Sequence, residues 1–129
     1  MIALDTNVVV RLLVNDDPGQ TRSARKLLES RTALLVPTVL LETEWVLRGA
    51  YDIGRPAIAA SLRKLVGLPS IALGNAEAVA HALEWFEAGL DFADALHLAL
   101  AGDAEGFATF DARLAKRARR ITARDVTAL

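Results

Sequence analysis

Short apolar runs alternate with amphipathic segments along the whole chain. Ile2-Ala3-Leu4 ends at Asp5 and reads as a buried strand with the aspartate at its carboxyl end. Residues 7–14 are apolar with Arg11 as the one charge, which predicts a short helix. Asn15-Asp16-Asp17-Pro18-Gly19 is a loop by composition. Residues 20–30 are polar around Leu27 and Leu28, an amphipathic helix. Residues 33–36 form a second buried strand, punctuated by Pro37. Thr38 can cap a helix running to about Arg48, with Gly49 near its end. Pro56 suits the first turn of a helix reaching Val66. Gly67-Leu68-Pro69 breaks that helix, and residues 70–73 make a third strand. Asn75 can cap a helix to about Ala88, closed by Gly89, and Asp91 can cap the next, over 92–101. Residues 107–110 read as a fourth strand ending at Asp111. A short helix follows over 112–117, with a last strand near Arg120-Ile121.

Short apolar strands alternating with helices predict an α/β sandwich, a central and mostly parallel sheet with helices on both faces. In such folds ligands bind at the carboxyl ends of strands, where this reading puts both Asp5 and Asp111. A chain of 129 residues without repeats or linkers predicts one domain over 1–129. Apolar residues make up 53% and charged residues 24%, a globular composition that excludes disorder. No apolar run is long enough to cross a bilayer. The opening Met1-Ile2-Ala3-Leu4-Asp5 has no basic start, which predicts no secretory leader. Cysteine is absent, so disulfides and thiolate metal sites are excluded. A cytoplasmic protein is the expectation.

Net charge is −1, which excludes a non-specific polycation. Basic residues nevertheless cluster. Arg113, Lys116, Arg117, Arg119, Arg120 and Arg124 fall in one twelve-residue stretch, and Arg22, Arg25, Lys26 and Arg31 form a second group. Each is either a solvated helix face or a rim for nucleic acid phosphates.

Four acids are harder to assign to solvent. Asp5 and Asp111 end strands, where each could simply cap the helix that follows. Glu42 has Thr38, Val39, Trp45 and Val46 as its one-turn neighbours. A carboxylate on that face is costly to bury without a cation or hydrogen bonds, unless it is partly exposed. Glu44 is flanked by leucines too, but Arg48 lies four residues on and can pair with it, so spacing leaves both glutamates open. Asp94 begins the run Asp-Ala-Leu-His-Leu-Ala-Leu-Ala, a mostly buried helix, where it is either a first-turn acid or a ligand. His97 reads as a packed core histidine. Clustered carboxylates cannot all stay ionised unaided. A hard divalent cation with oxygen ligands resolves the conflict and suits phosphate chemistry.

These residues resemble the PIN-domain ribonucleases, and most closely the VapC-type toxins of prokaryotic toxin–antitoxin pairs. Ile2-Ala3-Leu4-Asp5-Thr6-Asn7 is similar to the opening strand and first catalytic aspartate of that family. Leu41-Glu42-Thr43-Glu44-Trp45-Val46-Leu47-Arg48 is similar to its second motif, in a register that selects Glu42 over Glu44. Asp91-Phe92-Ala93-Asp94-Ala95-Leu96-His97 matches the third motif through Asp94, and Ala108-Thr109-Phe110-Asp111 the fourth through Asp111. The resemblance covers essentially the whole chain. It implies a PIN-like sandwich and an endoribonuclease dependent on Mg²⁺ or Mn²⁺. Asp5, Glu42, Asp94 and Asp111 would bind metal and orient a water for in-line attack. Thr6, Asn7 and Thr109 would fix those carboxylates. Arg11, Arg113, Lys116, Arg117 and Arg120 become candidate RNA contacts. A homodimer held by a cognate antitoxin is also implied, with the antitoxin tail in an apolar groove.

Other readings stay open at this stage. A PIN nuclease of RNA processing would carry the same acids, and a binding module could keep the fold without cleaving. A phosphotransfer domain with Asp5 as nucleophile is disfavoured, because Asn7 stands where a second aspartate would be needed and no lysine ends a strand.

Overall fold

A computed structural model describes residues 1–129. The elements are β1 (Ile2–Ala3), α1 (Thr6–Leu13), α2 (Pro18–Ser30), β2 (Ala33–Leu35), α3 (Pro37–Gly49), α4 (Arg55–Val66) and β3 (Ile71–Leu73). They continue with α5 (Ala76–Glu87), α6 (Phe92–Leu100), β4 (Phe107–Thr109), α7 (Ala112–Ile121) and β5 (Val126–Ala128). By its internal contacts the chain divides into two compact units, Met1–Gly74 and Asn75–Leu129. No helix is long and apolar enough to cross a membrane.

The first unit is built on a parallel sheet in the order β1-β2-β3, with Ile2 beside Ala33 and Ala33 beside Ile71. Its helices start where the chain supplies caps. Asp5 caps α1, Asp17 accepts from the Gln20 amide at 3.1 Å to cap α2, and Pro37 sits at the first position of α3. Val9, Leu35, Leu40, Leu47, Ile58 and Leu62 are fully buried and form the core. Arg11 ties this unit's surface together. It donates to Gln20 (2.7 Å), Asp16 (2.8 Å) and the Tyr51 hydroxyl (3.0 Å). The Tyr51 hydroxyl in turn donates to Asp16 at 2.7 Å. That bond, followed by the charge of Arg11, holds the Asp16 carboxyl below its ordinary pKa.

In the second unit α5 packs on α6, and β4 pairs in parallel with β5 across α7. Val79, Leu83, Phe92 and Leu96 are buried, with Phe86 edge-on to Phe92 at 5.3 Å. Gly89 turns the chain between α5 and α6 at φ 117°, a conformation other residues adopt only under strain. Trp85 is stacked with His81 at 5.4 Å and lies 5.5 Å from the Arg124 guanidinium.

The predicted α/β class with a central parallel sheet and surrounding helices holds, while several local expectations are corrected. Val36 rather than Thr38 precedes the first turn of α3, because Pro37 already opens the helix. Asn75 precedes α5 in a left-handed conformation but makes no side-chain cap bond. Arg120-Ile121 is not a strand: α7 runs through it, and the last strand lies at Val126–Ala128. Of the strands read as buried, only central β2 has two fully buried residues, Ala33 and Leu35. β1 is an edge of its sheet and leaves Ala3 exposed. The fourth strand stops at Thr109, so Phe110 leaves the sheet and is 84% exposed.

Candidate active site

In the first unit the junction of β1 and α1 carries two of the candidate side chains, Asp5 and Thr6. Asp5 caps α1, its Oδ1 accepting from the Thr6 amide at 2.8 Å. Capping therefore occupies one oxygen and leaves the other available for a ligand. Thr6, the next residue, is buried, and its hydroxyl donates to Glu42 Oε1 on α3. One backbone step thus separates the capped aspartate from the hydroxyl that fixes the glutamate. Asn7 is exposed and makes no side-chain hydrogen bond; with Arg11 it lines a groove between α1 and α2.

The glutamates of α3 are placed the opposite way to the apolar-face argument. Glu42 is exposed, and Glu44 is the buried carboxylate, 2% accessible. Arg48 Nε donates to both Glu44 oxygens, at 3.2 and 3.3 Å. Glu44 is therefore held in an ion pair with Arg48, and Glu42 is the exposed glutamate of the two.

In the second unit Asp91 caps α6, accepting from the Asp94 amide at 3.3 Å. Asp94 thus sits in the first turn, where the helix dipole favours its charge. Burial nevertheless pushes its pKa up, the charges of Asp91 and then Asp111 push the same way, and only His97 opposes them. His97 is exposed rather than packed in the core. Asp111 caps α7 through Oδ1, which accepts from the Leu114 amide at 3.0 Å. Thr109 Oγ1 accepts from the Asp111 backbone amide at 3.0 Å, so it fixes the turn rather than the carboxylate itself. Asp91, Asp94 and Asp111 line a cavity of about 250 Å³ together with Arg113 and Arg117. Lys116 and Arg120 are exposed on α7 outside that cavity, and Arg119 donates to the Val126 carbonyl at 2.9 Å. Sequence reasoning treated the basic stretch as one patch. Spacing gave no signal that separates Arg113 and Arg117 from the rest, since Lys116 and Arg120 are also four residues apart.

The profile of the PIN domain family matches residues 2–120. The chain belongs to the PIN domain family. The match spans both units and all four acidic motifs, Asp5, Glu42, Asp94 and Asp111 among them. PIN domains are generally metal-dependent nucleases, and RNA is bound by PIN nucleases. No curated protein matches the chain closely enough to serve as a named relative.

The donor chemistry of this PIN domain fits a hard divalent cation. The candidate donors are all carboxylates, two of which use one oxygen as a cap, and Asp94 is crowded by like charge. No group of three or more acidic or histidine side chains is arranged as a metal cluster.

Proposed function

We propose that this PIN domain is a Mg²⁺- or Mn²⁺-dependent endoribonuclease and the toxin of a toxin–antitoxin pair, acting in the cytoplasm as a homodimer. The observation that carries the nuclease reading is the state of Asp94. It lies in a polar cavity beside Asp91 and Asp111, with its charged form disfavoured. An acid placed at such cost is explained by a cation that offsets the repulsion.

Asp5, Glu42, Asp94 and Asp111 would hold the ion. When bound, a divalent ion supplies Lewis acidity toward a phosphodiester oxygen and makes a water more acidic. The chain's own residues do the positioning. The cap bonds of Asp5 and Asp111 fix each carboxylate's orientation, and the Thr6 hydroxyl fixes Glu42. Arg11, Arg113, Lys116, Arg117 and Arg120 are assigned to the RNA backbone, though Arg11 already has three internal partners.

The toxin reading is supported by the Trp45-Val46-Leu47-Arg48 motif and by an apolar groove of about 570 Å³ in the first unit. Leu12, Leu13, Leu28, Leu65 and Leu68 line it, with Arg25 and Lys64 among the charged residues, as an antitoxin segment would require. Cleavage of a mixed RNA pool by purified protein, with Mn²⁺ and with EDTA, tests the nuclease. Cuts that need Mn²⁺ and vanish in Asp94→Asn are expected. Cutting that persists in Asp94→Asn removes that residue from the site, and a protein that binds RNA without cutting it is a binding module.

A further inference from the structure

The turn that presents Asp111 carries features the carboxylates do not explain. Phe110 is 84% exposed, more than any other large apolar side chain of the protein. An aromatic ring in water forgoes the burial that draws most such rings into a core. Arg113 and Arg117 follow on α7, one turn apart, and line the cavity that holds Asp94 and Asp111. Neither guanidinium forms a salt bridge with those carboxylates. Two other arginines of the chain do pair with carboxylates, Arg11 with Asp16 at 2.8 Å and Arg48 with Glu44 at 3.2 Å. Two unpaired guanidinium groups beside an acidic pocket instead suit a ligand that is itself anionic.

We propose that Phe110, Arg113 and Arg117 form a nucleotide subsite, in which Phe110 stacks on an unpaired base and the two arginines hold the adjoining phosphates. The proposal rests on the ribonuclease reading and deepens it. Guanidinium groups bind phosphate oxygens in a planar, two-donor geometry. Placed here, they offset the repulsion between an incoming phosphate and Asp94 and Asp111. Every base offers a π-face to an aromatic ring, so stacking favours single strands without selecting sequence. A base paired inside a helix has no face free for Phe110, which makes the subsite a filter for single-stranded RNA.

The test uses the full chain and a fluorescein-labelled, mixed-sequence single-stranded RNA of about ten nucleotides, by analogy with single-strand site sizes. Binding is read by anisotropy in EDTA, with a duplex of the same length alongside, and cleavage is read separately with Mn²⁺. Phe110, Arg113 and Arg117 are exposed, so their variants should melt like the parent. Phe110→Ala should weaken single-strand binding about 5- to 150-fold, with Phe110→Trp retaining it and duplex binding little changed. Arg113→Ala and Arg117→Ala should each lower the salt slope of log K by about 0.7. If the parent cuts RNA while Phe110→Ala binds and cuts as well as the parent, the subsite is overturned and the nuclease stands. Phe110 would then belong to a protein interface. Equal losses on single strand and duplex would also overturn the stacking role. A parent that neither binds nor cuts single-stranded RNA overturns both readings together.

Discussion

Thr6→Val isolates the contact between the first acidic motif and the second. The substitution keeps size and branching and removes only the hydroxyl that donates to Glu42. A hydrogen bond to a charged group contributes about 1.5–3 kcal/mol. Glu42 is exposed and regains water when released, so the lower end applies. The buried methyl that replaces the hydroxyl offsets part of it, leaving a loss of about 1 kcal/mol. For a chain of this length that corresponds to a fall in Tm of about 4 °C. Against a typical stability of about 5–15 kcal/mol, nearly all molecules stay folded. The functional cost should be larger, because Glu42 loses its orientation. Outer partners of metal ligands are typically worth about 10- to 100-fold in affinity or activity. Mn²⁺ titration calorimetry and RNA cleavage, run below Tm, would read this directly, with Thr6→Ser expected to restore both. Parental metal affinity and rate in Thr6→Val would refute the positioning role and leave Thr6 as a packing residue.

Glu44→Gln should lower Tm, because it weakens a buried pair with Arg48, yet keep cleavage; Glu42→Gln should lower Tm by less than Thr6→Val, because its amide oxygen still accepts from Thr6, and lose cleavage. Comparable cleavage losses in the two would undo that division. Without metal, the raised pKa of Asp94 means its contribution to stability is present below its ordinary pKa and lost as pH rises through the raised value. Asp94→Asn should therefore be more stable than the parent at neutral pH in EDTA, and a pH series of melts in which the two never diverge would contradict this. Asp16 runs the other way, with a lowered pKa and a contribution present above its ordinary value and lost as acid titrates it. Asp16→Asn should thus flatten the acid limb of the melting curve, and an unchanged limb would count against the Arg11–Asp16–Tyr51 cluster.

Much of this architecture was legible because it is local. A short, largely apolar run followed by aspartate signals a strand near its end and a helix about to start, and Asp5 and Asp111 are found capping α1 and α7. Capping and ligation are not exclusive there, because a carboxylate has two oxygens and the cap bond uses one. The glutamates of α3 were not legible from spacing. Which face of a helix is buried depends on what packs against it, and that places Glu44 inside and Glu42 out. The motif register singles out Glu42, which is the exposed glutamate of the two. Phe110 escaped for a related reason: an apolar run does not announce where pairing stops, and β4 ends one residue before it. His97 was misplaced because it continues an apolar helix, though its position carries it to the surface. The last strand was set too early because the basic run over 117–120 conceals the continuation of α7.

The most direct test of the central claim is a double-mutant cycle on Mn²⁺ affinity, with free Mn²⁺ read by electron paramagnetic resonance. Asp5→Asn, Asp94→Asn and the double variant are compared with the parent, since additivity fails for groups that share a ligand. On the proposed reading, in which Asp5 and Asp94 serve one ion, each single variant should lose much of the affinity and the double little more. Independent, additive losses, or Mn²⁺ binding that neither substitution changes, would contradict it.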